Sequence, residues 1–201
     1  MTEADRRLRL EAILRASPTV MQVLHGVRDA WPPEWRLFSG AVYQTVWNSL
    51  TGRDPDHGIR DFDIGYFDGS DLSWDAEDVV IRRVAEAFEP PLRERVEVRN
   101  QARVHLWFQQ HFGEPYSPVS STDQALIRFV CPAFAVGVRL EPDDSLSIAA
   151  PFGTSELFAL KLSPNPTRRI ARDWDRVTGG LLARWPELTV TTRASGRSFG
   201  V

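Results

Sequence analysis

Three acidic residues in the chain are spaced in a way that suits metal-ion chemistry. Asp61 and Asp63 are two residues apart in the apolar stretch DFDIGYFD, and Glu97 lies between two valines in RVEVRN. Successive side chains of a β-strand point to opposite faces, so Asp61 and Asp63 should share one face with their Cβ atoms roughly 7 Å apart. If the strand that carries Glu97 is a neighbour, its carboxylate joins the same face. Acids arranged in this way can converge on a divalent cation.

Three neighbouring carboxylates are costly unless cations or protons occupy the space between them. Their hard oxygen ligands suit Mg²⁺ or Mn²⁺. Upstream, the turn Ser39-Gly40-Ala41 precedes a helix, and free N–H groups at a helix N-terminus attract phosphate. Gly40 would let a phosphate approach the backbone closely. A phosphate site beside three metal-binding acids predicts metal-assisted phosphoryl or nucleotidyl transfer.

The elements around these residues alternate between helix and strand in the first half of the chain. Apolar spacing and capping residues predict helices over about 4–15, 18–30 and 40–51, with Ser39 as the cap of the third, and a further helix that begins after Asp71 or Ser73 and turns Val79 inward. The segments WRLFSG, DFDIGYFD and RVEVRN read as strands. This order predicts an α+β fold of α/β type, a mixed β-sheet with helices packed mainly on one side.

The second half is predicted to extend that core. NQARVHLWFQQHFG and STDQALIRFV have helical patterns, FAVGVRLEPDDSLSIAA reads as two strands joined by a turn, and a last helix is expected near 168–184. A chain of 201 residues is long enough for one core and short for two domains. We therefore expect a single domain over 1–201, with a core at 36–100 and a C-terminal extension at 101–201 packed on it.

Composition excludes several classes of protein. A net charge of −3 and a pI near 5.8 argue against an extended nucleic-acid track. Cys131 is the single cysteine, so an internal disulfide is excluded and a reducing compartment is expected. The charged N-terminus lacks the apolar core of a signal peptide, and no apolar run has the length of a membrane span. These features predict a cytoplasmic protein, and the oligomeric state stays open.

Taken together, the motifs resemble the nucleotidyltransferase superfamily with the DNA polymerase beta-like core. Gly40-Ala41, Asp61-Phe62-Asp63 and Glu97 match in order its helix-opening glycine motif, its acid-x-acid strand and its third acid. The blocks GAVYQTVWNSLTG, DFDIGYFD, VRNQARVHLWF, FGEPYSP, AVGVRL and APFG followed by LF are similar to those of a bacterial family in that superfamily. The interval between Ala41 and Asp61 implies an inserted loop.

The resemblance implies a metal-dependent transfer of a nucleoside monophosphate from an NTP to an acceptor. Asp61, Asp63 and Glu97 would hold the metal ions and carry the catalysis, and Glu97 could also serve as general base. Ser39 and the amides of Gly40 and Ala41 would orient the triphosphate. The nucleotide-binding cations expected from position and chemistry are Arg60, Arg99 and Lys161.

The acceptor is not identified by the resemblance, and a small molecule is preferred over a protein or RNA end. Two alternatives stay open. One is a non-catalytic module that binds nucleotides or a partner and retains the fold. The other is a metal-dependent phosphohydrolase that uses the same acids with water as the acceptor.

Overall fold

The computed structural model describes residues 1–30, 32–167 and 174–191, and all helix and strand bounds refer to these residues. The helices are α1 Glu3–Arg15, α2 Pro18–Ala30, α3 Gly40–Thr51, α4 Trp74–Ala85, α5 Val104–Phe112, α6 Thr122–Leu126, α7 Ser155–Phe158 and α8 Trp174–Leu182. The strands are β1 Trp35–Phe38, β2 Phe62–Tyr66, β3 Val96–Asn100, β4 Gly137–Leu140, β5 Leu146–Ala149, β6 Lys161–Leu162 and β7 Thr189–Val190. Short 3-10 helices cover Arg93–Arg95, Gln101–Arg103 and Pro132–Phe134.

Five strands form one mixed sheet in the order β3-β2-β1-β4-β5. β2 and β3 are parallel, and α4 lies in the crossover that a parallel connection requires. The pairs β1 with β2, β1 with β4 and β4 with β5 are antiparallel. A separate parallel pair is formed by β6 and β7. The fold is therefore α+β with a mixed sheet, as the order of the elements predicted.

The two faces of the sheet differ in chemistry because strand side chains alternate. Leu37, Ile64 and Val98 are buried in a core with apolar side chains of the helices, and α2, α3 and α4 contact the strands. Asp63 and Glu97 occupy the intervening positions and point to the opposite face. Helices α2, α3 and α4 thus cover one face of the sheet and leave the acids on the other.

A network of polar side chains fixes the C-terminal end of β3. Glu77 of α4 is buried, forms an ion pair with Arg103 and accepts a hydrogen bond of 2.7 Å from the Asn100 amide. The Asn100 side chain accepts from the amide of Asp68 at 3.1 Å and donates to its carbonyl at 2.8 Å. Buried charge is tolerated only when it is paired and hydrogen-bonded, so this network locks α4 to the sheet.

The polar segment between α3 and β2 is held in place by one buried asparagine. Asn48 donates to the carbonyls of Pro55 and His57 at 3.0 and 2.8 Å, and its own Oδ1 accepts from the Trp185 indole at 2.9 Å. The inserted loop expected from the sequence is thus anchored both to α3 and to the C-terminal part of the chain. These hydrogen bonds hold the backbone in place shortly before Asp61.

Three local predictions need correction. Val79 was expected to face inward, but it is 56% exposed, because its position on α4 faces solvent while Val84 is buried. STDQALIRFV forms a helix only over Thr122–Leu126. The hydroxyl of Ser39, expected to cap α3, makes no capping hydrogen bond.

Two further predictions concern the last helix and the boundary between core and extension. The last helix is present over Trp174–Leu182, and the expected residues 168–173 lie outside the described part of the chain. The division into a core at 36–100 and an extension at 101–201 stays a prediction, although β4 and β5 join the sheet of the core. Within the described ranges, no helix is long and apolar enough to cross a membrane.

Candidate active site

The three predicted acids come from the adjoining strands β2 and β3. Asp63 is in register with Glu97 on one side and with Phe38 of β1 on the other. Asp61 immediately precedes β2, two residues before Asp63, so the strand period aims both aspartates at one face. Glu97 is exposed, and its carboxylate lies 3.8 Å from the guanidinium of Arg99. The sheet therefore places the three acids on, or directly before, two neighbouring strands.

Asp63 is the electrostatic centre of this group. The pKa of its carboxyl is raised to about 6, chiefly by burial and next by the charge of Asp61. A hydrogen bond with the Ser39 side chain lowers the pKa, Glu97 raises it, and Arg99 lowers it. Desolvation and like charge both disfavour the ionised carboxylate. Asp63 therefore sits where a positive charge would be strongly stabilising.

The donor chemistry fits a hard divalent cation. All three acids offer carboxylate oxygens, the ligand type that Mg²⁺ prefers. The positive charge of Arg99 does not offset the effects of burial and of the neighbouring acids on the pKa of Asp63. Across the described ranges, no group of three or more His, Cys, Asp or Glu side chains is gathered closely enough to hold a metal. The Glu97 carboxylate instead pairs with Arg99.

The turn before α3 has the backbone of a glycine motif, with a serine in the strained position. Ser39 has φ 62° and ψ −141°, a conformation that is costly for a residue with a Cβ. Its hydroxyl makes the hydrogen bond with Asp63 instead of capping the helix. Helix α3 then begins at Gly40, so the amides of Gly40 and Ala41 belong to the first turn, where N–H groups have no intrahelical partner. The turn before α3 thus lies next to Asp63.

A small cavity of about 170 Å³ lies between Ser39 of the turn and two of the acids, Asp63 and Glu97. It is lined by Phe38, Ser39, Asp63, Ile64, Glu97, Arg99, Gln101 and Phe129. A larger cavity of about 420 Å³ adjoins it and shares Ser39, Arg99, Gln101 and Phe129 with it. Asp63 and Glu97 therefore line a cavity rather than a flat surface, whereas Asp61 is not among the lining residues of either cavity.

Comparison with known proteins agrees with this geometry. A family model described as nucleotidyltransferase matches residues 26–190. The chain belongs to this nucleotidyltransferase family. An NMR structure described as a CCA-adding enzyme head domain is 22% identical, covers 90% of this chain and 95% of its own, and superposes with a TM-score of 0.71. At that identity the likeness concerns the fold, and none of the curated proteins matches the chain.

The resemblance to the nucleotidyltransferase superfamily is thus confirmed, and the structure refines one detail of its motif. Gly40-Ala41 was matched to the glycine motif, but Ser39 holds the left-handed backbone and Gly40 opens the helix. Ala41 is fully buried and its methyl group packs in the core. A Cβ on Gly40 would lie 2.7 Å from Nε2 of Gln44, so the glycine also makes room for that side chain.

The three predicted cations of the nucleotidyltransferase lie in different places. Arg99 lines both cavities and faces Glu97. Arg60 lies in the loop before β2, where its carbonyl accepts a hydrogen bond of 3.2 Å from Arg95, and it is not among the residues lining the cavities. Lys161 belongs to β6 of the second sheet and pairs with Glu156 at 3.2 Å. The structure brings Arg99 to the acids and leaves Arg60 and Lys161 outside the lining.

Sequence reasoning did not assign a site role to Tyr43. Its ring stacks on Phe134 at 4.5 Å, and burial raises the pKa of its phenol to about 12. The neighbouring Gln44 side chain lowers that pKa, while the charges of Asp63 and Asp61 raise it. The phenol therefore lies within electrostatic reach of both aspartates and stays protonated as a donor. The signal that would have found it is the helical spacing that puts Tyr43 one turn after Ser39.

Gln101 and Phe129 were also missed. Gln101 follows β3 directly, so continuing the alternation past Glu97 and Arg99 would have pointed to it. Phe129 lies beyond α6, and its ring meets Phe38 edge-on at 5.4 Å. No local pattern connects it to the acids, because the contact depends on the tertiary fold.

Proposed function

We propose that the protein is a metal-dependent nucleotidyltransferase that transfers a nucleoside monophosphate from an NTP to an acceptor hydroxyl. The observation that carries this proposal is the position of Asp63. Its carboxylate is flanked by Asp61 and Glu97 and hydrogen-bonds the serine of a phosphate-type turn. A non-catalytic binding module would have no need to keep an ionisable group in so unfavourable an environment.

Asp61 and Asp63, joined by Glu97, would hold Mg²⁺ or Mn²⁺. When bound, the cation would neutralise charge on the triphosphate and lower the pKa of the acceptor hydroxyl. The family membership supports this assignment, and the raised pKa of Asp63 gives it a physical reason.

The chain's own groups would bind and orient the reactants. The amides of Gly40 and Ala41 would donate to phosphate oxygens at the positive end of α3, the kind of site that phosphate favours. The Ser39 hydroxyl, held against Asp63, would keep the turn next to the acids. Arg99 would stabilise negative charge that develops on the phosphoryl group.

Glu97 is the candidate general base. Its carboxylate is exposed and close to Arg99, so it can accept the proton of an acceptor hydroxyl at a carboxylate oxygen while remaining charge-compensated. Shifting from Arg99 toward the aspartates would bring Glu97 into the same space as Asp63, with which it is in register.

The test is calorimetric titration of ATP, GTP, CTP and UTP, each with and without Mg²⁺, into the wild type and Asp63→Ala. We expect metal-dependent binding to at least one NTP and at least a tenfold loss in the variant, with the fold retained by circular dichroism. Glu89→Gln is the control, since Glu89 is an exposed carboxylate beyond the end of α4. Unchanged Mg²⁺-NTP binding by folded Asp63→Ala would refute the site.

Product analysis separates the remaining alternatives. Efficient release of phosphate or pyrophosphate from the bound NTP with water alone would indicate a phosphohydrolase. NTP binding without turnover under any acceptor condition would indicate a binding module. A transferase should release pyrophosphate only when an acceptor is added.

A further inference from the structure

The larger cavity beside the acids has an aromatic lining that the transfer chemistry itself does not require. Its volume of about 420 Å³ falls in the range of small-molecule sites. Six aromatic rings line it: Trp107, Phe108, Phe112, Tyr116, Phe129 and Phe134. Phosphate binding and metal binding depend on charge. An aromatic cavity of this size therefore indicates a ligand other than the triphosphate and the metal ion.

Four of these rings form one continuous wall. Phe108 lies 4.7 Å from Phe112 and 4.7 Å from Tyr116, and Trp107 lies 6.2 Å from Phe108. Phe112 is 54% exposed although it is large and apolar. Exposed aromatic surface gathered inside a concavity is a feature of ligand sites rather than of a packed core.

The cavity also leads to the reacting groups. Ser39, Arg99, Gln101 and Phe129 line both it and the small cavity that contains Asp63. An occupant whose body rests against the aromatic wall can therefore extend one group past Arg99 and Gln101 to the acids. This arrangement suits the second substrate of a transferase.

The aromatic wall favours some classes of ligand over others. The lining also holds the charged residues Arg99, Glu114, Arg128 and Arg176. A nucleobase carries several polar edge groups, and the aromatic wall would leave those that face it unpaired, which is costly. An RNA end carries repeated phosphates that need an extended basic surface, whereas the protein as a whole has a net charge of −3. An apolar aromatic molecule gains from burial and from ring contacts and needs few polar partners.

Building on the proposed function, we propose that the larger cavity binds the acceptor, and that the acceptor is a small aromatic molecule bearing a hydroxyl group. Its hydroxyl oxygen forms a bond to the α-phosphorus of the NTP. The bond between the α-phosphorus and its bridging oxygen breaks, and pyrophosphate leaves with that electron pair. The hydroxyl proton passes to a carboxylate oxygen of Glu97.

The test uses 2-naphthol as the probe, which has an aromatic body and one hydroxyl. Calorimetry would measure its binding to the wild type and to Val104→Phe, which adds bulk to a wall of the cavity. We expect at least a tenfold weaker binding in Val104→Phe and less than a twofold change in Mg²⁺-NTP binding. Leu106→Phe is the matched control, because Leu106 is on the same helix, is 55% exposed and does not line the cavity.

A second blocking variant keeps the proposal testable if Val104→Phe does not fold. If Val104→Phe loses its circular dichroism signal, Val177→Trp adds bulk to the cavity from α8 and should have the same effect. Absence of 2-naphthol binding to the wild type, or equal binding to a folded blocked variant, would overturn the proposal.

Competition distinguishes the other occupants. Saturating Mg²⁺-ATP should leave 2-naphthol bound, because the two sites adjoin without coinciding. Displacement of 2-naphthol by ATP would overturn the proposal in favour of a nucleobase site, and displacement by a single-stranded RNA oligonucleotide would do so in favour of an RNA end. The proposed function fails separately, if no NTP binds the wild type while 2-naphthol still does.

Discussion

Replacing Asp63 by asparagine should make the apo protein more stable at neutral pH. Asparagine has nearly the same shape and can still accept the hydrogen bond from Ser39, but it carries no charge to desolvate. The pKa of Asp63 is about 6 in the folded protein, against 3.8 for an unperturbed aspartate. A rise of about 2 units corresponds to about 3 kcal/mol of unfavourable free energy when the carboxylate is ionised.

The sign and the pH range follow from proton binding. Between about pH 4 and pH 6 the folded state holds the Asp63 proton more tightly than the unfolded state does, so the wild type loses stability as the pH rises through this window. At pH 4.5 about 1 kcal/mol of the cost is already present, and it is complete above about pH 7. The stability advantage of Asp63→Asn should therefore grow by about 2 kcal/mol between pH 4.5 and pH 7.5.

Urea denaturation followed by tryptophan fluorescence, in the presence of EDTA, measures this difference. Glu89→Gln should remain within about 0.5 kcal/mol of the wild type at both pH values, as is usual for an exposed substitution. Adding Mg²⁺ at pH 7.5 should stabilise the wild type more than Asp63→Asn, since a bound cation favours the ionised carboxylate. A difference that does not change with pH, or an Asp63→Asn protein less stable than the wild type at pH 7.5, would refute the electrostatic reasoning.

Three further substitutions probe the scaffold of the site. Gly65→Ala would place a Cβ 2.0 Å from Cζ of Phe38 and should destabilise the protein by about 1–3 kcal/mol in urea melts, whereas Gly179→Ala, with no atom within 4 Å of its added Cβ, should not destabilise it. Ser39→Val puts a β-branched residue at φ 62° and should lower the denaturation midpoint by an amount equivalent to about 1–3 kcal/mol, while Ser39→Gly should remain within about 1 kcal/mol. Arg103→Ala leaves a buried carboxylate of α4 without its partner and should cost about 3–5 kcal/mol; a loss below 1 kcal/mol would show that the ion pair is not what locks α4 to the sheet.

The sequence was informative about the acids because their positions depend on a local rule. Strand alternation put Asp61 and Asp63 on one face, and Glu97 needed only the assumption that its strand was a neighbour, which the parallel register confirms. The same alternation places Arg99 on the face that carries Glu97. The sequence was less informative about Ser39, because its left-handed backbone is uncommon for serine and is imposed by the surrounding structure.

The remainder of the site depends on contacts between distant parts of the chain. Phe129 reaches the acids through its contact with Phe38, and no pattern within a short window records that pairing. Lys161 had suitable chemistry, but its strand belongs to a different sheet and pairs with Glu156. Charge type alone therefore did not identify which cations lie near the acids.

The two connected cavities draw on different stretches of the chain. The acids and the turn lie within residues 39–97, whereas the aromatic rings of the larger cavity all come from residues 107–134, with further lining from α8. Substitutions in this later stretch can reshape the larger cavity without altering any acid or the turn. Descendants of one ancestral chain can thus diverge in the molecules they accommodate while inheriting the same chemical centre, and homologues should differ more along 104–134 than along 39–65.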